Sequence, residues 1–254
     1  MCRVPLRYLF RLPHDRGRER ARTTERLYWQ DAYLREFDAA VVSVGEKGVV
    51  LDKTAFNPRG GGLVSDLGKL NETSVVEVIK QEEEIYHVVE KPYDLKPGGS
   101  VHGVLDWDRR HRVMRMHTTA HILSAVVNRE TGALITGNQI SPAESRIDFS
   151  LELFEREKFA DYVRMANDAA KSGAEVRSFF MKREEALKTP GFVKLADALP
   201  PVVDELRIVK IGDVDTQADG GVHVKNTSEI GEIVVNRIEN KGKSNRRLYF
   251  SLRP

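Results

Sequence analysis

"DWDRRHRVMRMHTTAHILSAVVNRETG", residues 106–132, is where the chain changes from a strand pattern to a helix pattern. The stretch opens on acidic residues, repeats small or apolar positions at Val113, His117, Ala120, Ser124 and Val127, and stops at Gly132. Spacings of three and four trace one face of a helix. The stretch therefore predicts a single helix that stacks His117 and His121 on one side, just over a turn apart.

Before this helix, from Leu34 to about Leu105, the sequence reads as short strands. "DAAVVSV", "GVVLDKTAF", "GKLNETSVVEVIKQEEEIYHVVE" and "GSVHGVLD" alternate or run apolar, and Gly45, Gly48, "NPRGGG" and "KPGG" divide them. Residues 71–90 predict a hairpin turning near "QEEE". So many strands in so short a span imply a small antiparallel barrel. After the helix, "RIDFSLEL" reads as a strand leading into a second helix at about 152–171. "EVRSFFMKR" (strand), "EEALK" (short helix) and "LRIVKIGDV" (strand) follow. "EIGEIVVNRIEN" and "NRRLYFSLRP" close the chain as an antiparallel pair joined by "KGKS". The predicted fold class is α+β: a small antiparallel β-barrel N-terminal domain, then an α+β domain with a mainly antiparallel sheet. The expected boundaries are a basic flexible leader at 1–23, the barrel with its glycine-rich motif at 24–105, and the second domain at 106–254.

Composition bounds the function. The chain has 254 residues, 41% of them hydrophobic and 31% charged, which describes a globular protein. No apolar run approaches the roughly 20 residues of a membrane helix, so no membrane role is expected. A single cysteine, Cys2, excludes an intramolecular disulfide framework and fits a reducing cytoplasm. The net charge of +2 is uneven: residues 1–23 hold seven arginines against Asp15 and Glu19. That leader has three readings, a nucleic-acid arm, an organelle presequence or a flexible tail, and the last is preferred. The rest of the chain is slightly acidic, so a polyanionic partner would have to meet local basic patches.

Two histidines at this spacing can share a metal, although a buried histidine is more often a hydrogen-bonded core residue. Thr118 stands where H-E-x-x-H carries its glutamate, which argues against a zinc protease. Further on, "DVDTQADGGVHVKNTSEIGEI", residues 213–233, places Asp219 four residues before His223 across two glycines. The glycines suit a tight loop that turns both side chains to one centre, though "ADGG" also describes an ordinary β-turn. His117, His121, Asp219 and His223 are all acceptable zinc ligands and would make four. Three outcomes stay open: all four residues as ligands, a three-histidine site with water in the fourth position, or assistance from Gln217.

"HTTAH" followed by "DGGVH" resembles the H-x-x-x-H and C-x-x-x-H pair of the alanyl-tRNA synthetase editing domain and its free-standing relatives, the alanyl-tRNA editing proteins of the AlaX type. Other stretches agree in order. "TAFNPRGGGLVSDLGKL" resembles the family segment T-P-F-Y-x-x-x-G-G-Q-x-x-D-x-G. "LDWDRRHRVMRMHTTAHIL" resembles its D-x-x-R-R-x-x-x-x-x-H-x-x-x-H-L helix. "SRIDFS" and "EIGEIVVNRIENKGKSNRRLYF" match its later strands. The resemblance covers about residues 27–253. One departure stands out: the family's cysteine falls on Asp219, a harder oxygen donor.

The resemblance implies a Zn2+-containing hydrolase for the aminoacyl ester of mischarged tRNA(Ala), chiefly seryl and secondly glycyl, acting in trans because the chain has no room for a synthetase catalytic domain. It implies that 106–254 is the editing (deacylase) domain, and that Gly60, Gly61, Gly62 and Asp66 position the substrate end. The glycines read structurally as a bulge or positive-φ turn, and no G-K-[ST] makes them a phosphate loop. No nucleophile-elbow G-x-S-x-G occurs, which suits hydrolysis by positioned water. A pocket that accepts serine and rejects the smaller alanine must require the hydroxyl. Thr136 is the candidate for that contact by its position in the family, with Gln139 second, while "TGNQ" as a polar turn weighs equally. Phosphate contacts are expected from Arg109, Arg110, Arg112 and Arg115, and from Lys241, Lys243, Arg246 and Arg247. The alternatives are a non-catalytic RNA-binding module, supported by the missing cysteine, and a metal-dependent hydrolase of another small ester. Oligomeric state is not legible.

Overall fold

The computed structural model describes residues 23–152, 155–189, 192 and 203–254. Apart from Thr23, the expected leader lies outside the described residues. In chain order the elements are β1 (Glu25–Arg26), α1 (Leu27–Gln30), β2 (Glu36–Gly45), β3 (Gly48–Leu51), β4 (Lys53–Thr54), β5 (Gly68–Leu70), β6 (Thr73–Gln81), β7 (Glu84–Val89) and β8 (Ser100–Leu105). Then come α2 (Trp107–Thr131), β9 (Ile135–Gln139), β10 (Ser145–Phe149), α3 (Arg156–Lys171), β11 (Val176–Lys182), α4 (Arg183–Lys188), β12 (Glu205–Ile211), β13 (Asp215–Ala218), β14 (Glu232–Asn240) and β15 (Arg246–Arg253).

The early strands pair antiparallel in the order β2-β3-β7-β6-β5-β8, and β8 returns to β2, closing a barrel. Alternation along β2 buries Phe37, Ala39 and Val41, while along β7 it buries Ile85, His87 and Val89. A two-sided strand sends every second side chain inward, so these residues fill the inside. β6 and β7 form the hairpin over "QEEE", with Glu82 at φ 53 in the turn.

α2 joins the two halves of the chain. The Asp106 carboxylate caps it by accepting from the Arg109 N–H at 3.1 Å, and Gly132 ends it in the left-handed conformation at φ 72. The helix is buried without a break from Met116 to Val127, so the single stripe read from sequence understates how fully it is enclosed. Its apolar side chains join barrel residues such as Phe37 and Phe56, and sheet residues such as Phe149 and Phe250, in one contiguous core.

The second half holds two antiparallel sheets, β14-β15-β10-β9 and β11-β12-β13. The "TGNQ" segment is strand β9, not a turn, and a bulge in its pairing with β10 falls beside Thr136. No described helix is long and apolar enough to cross a membrane.

Candidate metal centre

His117 and His121 leave one face of α2, and the loop after β13 brings Asp219 and His223 against them. One ligand atom from each lies within 4.8 Å of the others. Each histidine has its Nδ1 held from behind. His117 Nδ1 donates to the Val222 carbonyl at 3.2 Å, and His121 Nδ1 donates to the Asp215 carboxylate at 2.8 Å. His223 Nδ1 lies 3.1 Å from Thr118 Oγ1, whose own proton goes to the Met114 carbonyl, so the imidazole is the donor. The three Nε2 atoms therefore face Asp219, at 3.5 Å (His117), 3.7 Å (His121) and 3.2 Å (His223).

This arrangement fits a cation. Three Nε2 atoms and a carboxylate are crowded together, and a positive centre among them, protons or a metal ion, balances the carboxylate. One N–H of each imidazole engaged by a fixed acceptor is also the usual support of a metal-binding histidine. Imidazole and carboxylate donors suit a divalent ion such as zinc.

The charges follow the same geometry. Burial lowers the His121 imidazole, but hydrogen bonds to Asp215 and Asp219 outweigh it and raise the value to about 9. Burial pushes Asp219 up, yet the His117 charge and hydrogen bonds from all three histidines hold it well below the usual carboxylate range. His223 is pushed well below the usual histidine value, by burial first and by the His117 charge second.

The ligand loop is held by its backbone. Asp219 Oδ1 accepts from the Gly221 N–H at 2.7 Å. Arg207 Nη1 donates to the carbonyls of Asp219 at 3.1 Å and Gly221 at 2.9 Å, and Trp29 Nε1 donates to the Gly220 carbonyl at 2.8 Å. Gly221 is required by packing: a Cβ there would sit 2.7 Å from His117 Cε1. Thr118, Asp215, Arg207 and Trp29 escaped the reading of the sequence. Only Asp215, four residues ahead of Asp219 in "DVDTQAD", carried a usable signal.

A cavity of about 650 Å³ opens over His117, His121 and Asp219, with His223 behind them outside its wall. His117, His121 and Asp219 line it together with Ser124, Asn138 and Gln217. Gln217 sits on β13 opposite Val209 and contributes to the wall.

The expected substrate and RNA residues divide. Gly60 and Gly61 line the cavity. Gly60 and Leu63 exchange backbone hydrogen bonds around Gly61 and Gly62, both at positive φ, as a tight hairpin turn requires. Thr136 and Gln139 do not line the cavity. The bulge leaves Thr136 exposed, donating to Asn245 Oδ1 at 3.2 Å, and Gln139 is exposed with its Oε1 accepting from Arg146.

Asp66 does not line the cavity either. It is buried, and its carboxylate accepts from the guanidinium of Arg110, itself 0% exposed and also donating to the Ala32 and Ala55 carbonyls. Arg110 is thus closed to phosphate. Arg109 reaches the Ser65 carbonyl, Arg115 donates to that of Ile230, and Arg247 grips Asp148. Arg246 bonds the carbonyls of its own turn and of Glu152, and Lys241 pairs with Glu239 at 3.1 Å. Of the eight expected cations, Arg112 and Lys243 stand exposed outside any such contact. Arg26, Arg59 and Lys80 line the cavity instead.

Comparison with known proteins shows the family of the chain. The family described as threonyl and alanyl tRNA synthetase second additional domain matches residues 206–249, which include Asp219 and His223. The family described as tRNA synthetases class II (A) matches residues 23–109. The chain is therefore of the class built from synthetase-type domains and carrying a His/Asp group. It is 46% identical to the alanyl-tRNA editing protein AlaX-M of Saccharolobus solfataricus over 237 residues, 91% of this chain and 100% of that protein. To AlaX-M of Methanosarcina acetivorans it is 46% identical over 243 residues, 90% of this chain and 99% of the other. An alanine–tRNA ligase of Methanococcus maripaludis is 36% identical over 231 residues, 90% of this chain but 26% of the ligase. The chain belongs to the alanyl-tRNA editing protein family.

Proposed function

We propose that the chain is an aminoacyl-tRNA hydrolase that edits mischarged tRNA(Ala) in trans, acting on seryl-tRNA(Ala) chiefly and on glycyl-tRNA(Ala) secondly. The observation that carries this reading is the convergence of three imidazole Nε2 atoms on Asp219 beside a cavity that His117, His121 and Asp219 line, within a chain of this family. The chain spans the whole of an AlaX-M protein but about a quarter of a ligase, which supports action on released aminoacyl-tRNA. That reading places it in the cytoplasm, where translation occurs. Residues 24–105 would then help seat the tRNA end, and residues 106–254 would carry the hydrolytic site.

The metal we assign is zinc, held by His117, His121, Asp219 and His223. Zinc at this position supplies a positive centre that polarises and orients groups at the cavity wall. The protein's own residues do the rest of the positioning. Val222, Asp215 and Thr118 fix which nitrogen of each histidine faces Asp219, and Arg207 and Trp29 hold the 219–223 loop still. An aminoacyl ester is activated, so a water held against it in a walled site needs no serine nucleophile. With Asp219 beside the three imidazoles, the chain would offer four donors to zinc, and zinc held by all four would act by positioning.

The test is metal content per chain alongside deacylation of seryl- and glycyl-charged tRNA(Ala). His223→Ala should lose both metal and deacylation while keeping tRNA affinity. Full activity in metal-free protein would overturn the metal-centred reading. Normal tRNA binding without hydrolysis by zinc-loaded protein would identify a binding module.

A further inference from the structure

The cavity wall carries polar side chains that the protein itself leaves unmatched. Ser124 and Gln217 are 2% and 8% exposed, Asn138 is half-buried, and all three line the cavity. Among the described residues, no hydrogen bond or other partner engages the hydroxyl of Ser124 or the amides of Asn138 and Gln217. Among the described residues the fully enclosed, unpartnered side-chain atoms are the Nε atoms of Arg207 and Arg246, so the polar atoms of the other three keep some exposure on residues that line the cavity. Buried polar groups are normally matched. Cavity water or a ligand that brings its own donor and acceptor can match them.

Two of the three are held where they could read an acyl side chain. Ser124 continues the helical face of His117 and His121, one turn beyond His121. Asn138 is set by the glycine hairpin: a Cβ on Gly62 would lie 1.4 Å from Asn138 Oδ1 and 2.6 Å from its Cγ. The Ile140 N–H donates to the Gly62 carbonyl at 2.8 Å, pinning the hairpin to the end of β9. Residue 62 is glycine because the Asn138 amide occupies the space of a side chain. Gln217 lies two residues from Asp219, so changing it would disturb the ligand loop as well.

We propose that Ser124 and Asn138 are the residues that recognise a hydroxyl on the acyl side chain, in place of the exposed Thr136. This rests on the editing reading above. A seryl hydroxyl can both accept and donate, so it can give the Ser124 hydroxyl and the Asn138 amide one partner each. An alanyl methyl displaces cavity water and returns no hydrogen bond, leaving both protein groups unpaired. A glycyl group brings no hydroxyl, so its reaction does not depend on either residue.

The experiment compares Ser124→Ala, Asn138→Ala and Gly62→Ala with the parent protein on seryl- and glycyl-tRNA(Ala), with metal content measured on each. Binding of stable amide-linked seryl- and glycyl-adenosine gives a second readout. Each variant should lose about tenfold in seryl deacylation and seryl-analogue affinity, the order of one hydrogen bond, while glycyl values stay within about twofold. Full metal content should be retained. Equal losses on both esters, or an unchanged seryl rate, would overturn the assignment. Inactivity of the zinc-loaded parent on both esters would instead overturn the editing reading beneath it.

Discussion

His121 donates its Nδ1–H to the Asp215 carboxylate at 2.8 Å, and both side chains are buried. That bond decides which nitrogen of His121 is free to face Asp219. Removing the acceptor frees the ring to turn and weakens its basicity, the usual penalty for losing such a partner of a metal-bound histidine. Asp215→Ala should therefore lower metal affinity about 10- to 100-fold, measured by competition with a chromogenic chelator. Asp215→Asn, which still offers an acceptor oxygen, should lose less. Equal affinity in all three proteins would show that the carboxylate does not orient the ligand.

The Arg110–Asp66 ion pair belongs to the architecture. The guanidinium is fully enclosed and also donates to the Ala32 carbonyl at 2.8 Å, tying the first turn of α2 to the barrel side of the molecule. Breaking a buried pair from one side strands the other charge, which costs roughly 3–5 kcal/mol. Asp66→Ala should lose stability on that order in urea unfolding, while metal binding per folded molecule stays intact. A variant as stable as the parent that fails only in deacylation would return Asp66 to the substrate end.

Most of this fold was legible because its periods are strong. The Asp106 and Gly132 limits of α2, the 71–90 hairpin and the closing pair over "KGKS" follow from capping residues, alternation and turn chemistry, all local. The grouping of His117, His121, Asp219 and His223 was legible too, since helical spacing stacks the first pair and the glycines of "DGGVH" let a tight loop turn the second pair to one centre. What escaped depends on distant contacts. Nothing near Arg110 in sequence shows that Asp66 will enclose it, and nothing near "TGNQ" shows the bulge that turns Thr136 outward and leaves Asn138 on the cavity. A residue type announces what it can do; burial decides what it does.

Arg59 is a better candidate for a phosphate contact than the helix arginines. It is exposed beside the glycine hairpin, lines the cavity, and has a single ion pair, to Glu77 at 2.8 Å. Such surface pairs contribute little and exchange readily for a stronger anion. Arg59→Ala should weaken tRNA binding at low salt and flatten the slope of log affinity against log salt by about one. Arg110→Ala should act on stability first. Identical salt slopes for the parent and Arg59→Ala would remove Arg59 from the interface.

His87 gives the fold a pH dependence of its own, far from the candidate centre in sequence. It is fully buried in the barrel, with Nδ1 donating to the Val49 carbonyl at 3.0 Å and Nε2 accepting from Thr54 Oγ1 at 2.8 Å. Burial lowers its pKa from 6.5 to about 4. Between those values the unfolded chain takes up a proton that the folded chain refuses, so acid favours unfolding. The contribution is complete above pH 6.5, declines as the pH falls, and is gone below about 4; the total is on the order of 3 kcal/mol. His87→Gln cannot titrate, and it should be less stable than the parent at pH 7.5, with the gap closing toward pH 4.5 in urea titrations. A gap of constant size would mean that the folded imidazole takes up its proton as readily as the unfolded one, which its two hydrogen bonds oppose: the protonated ring would have to donate to Thr54 Oγ1, turning that hydroxyl's own proton away.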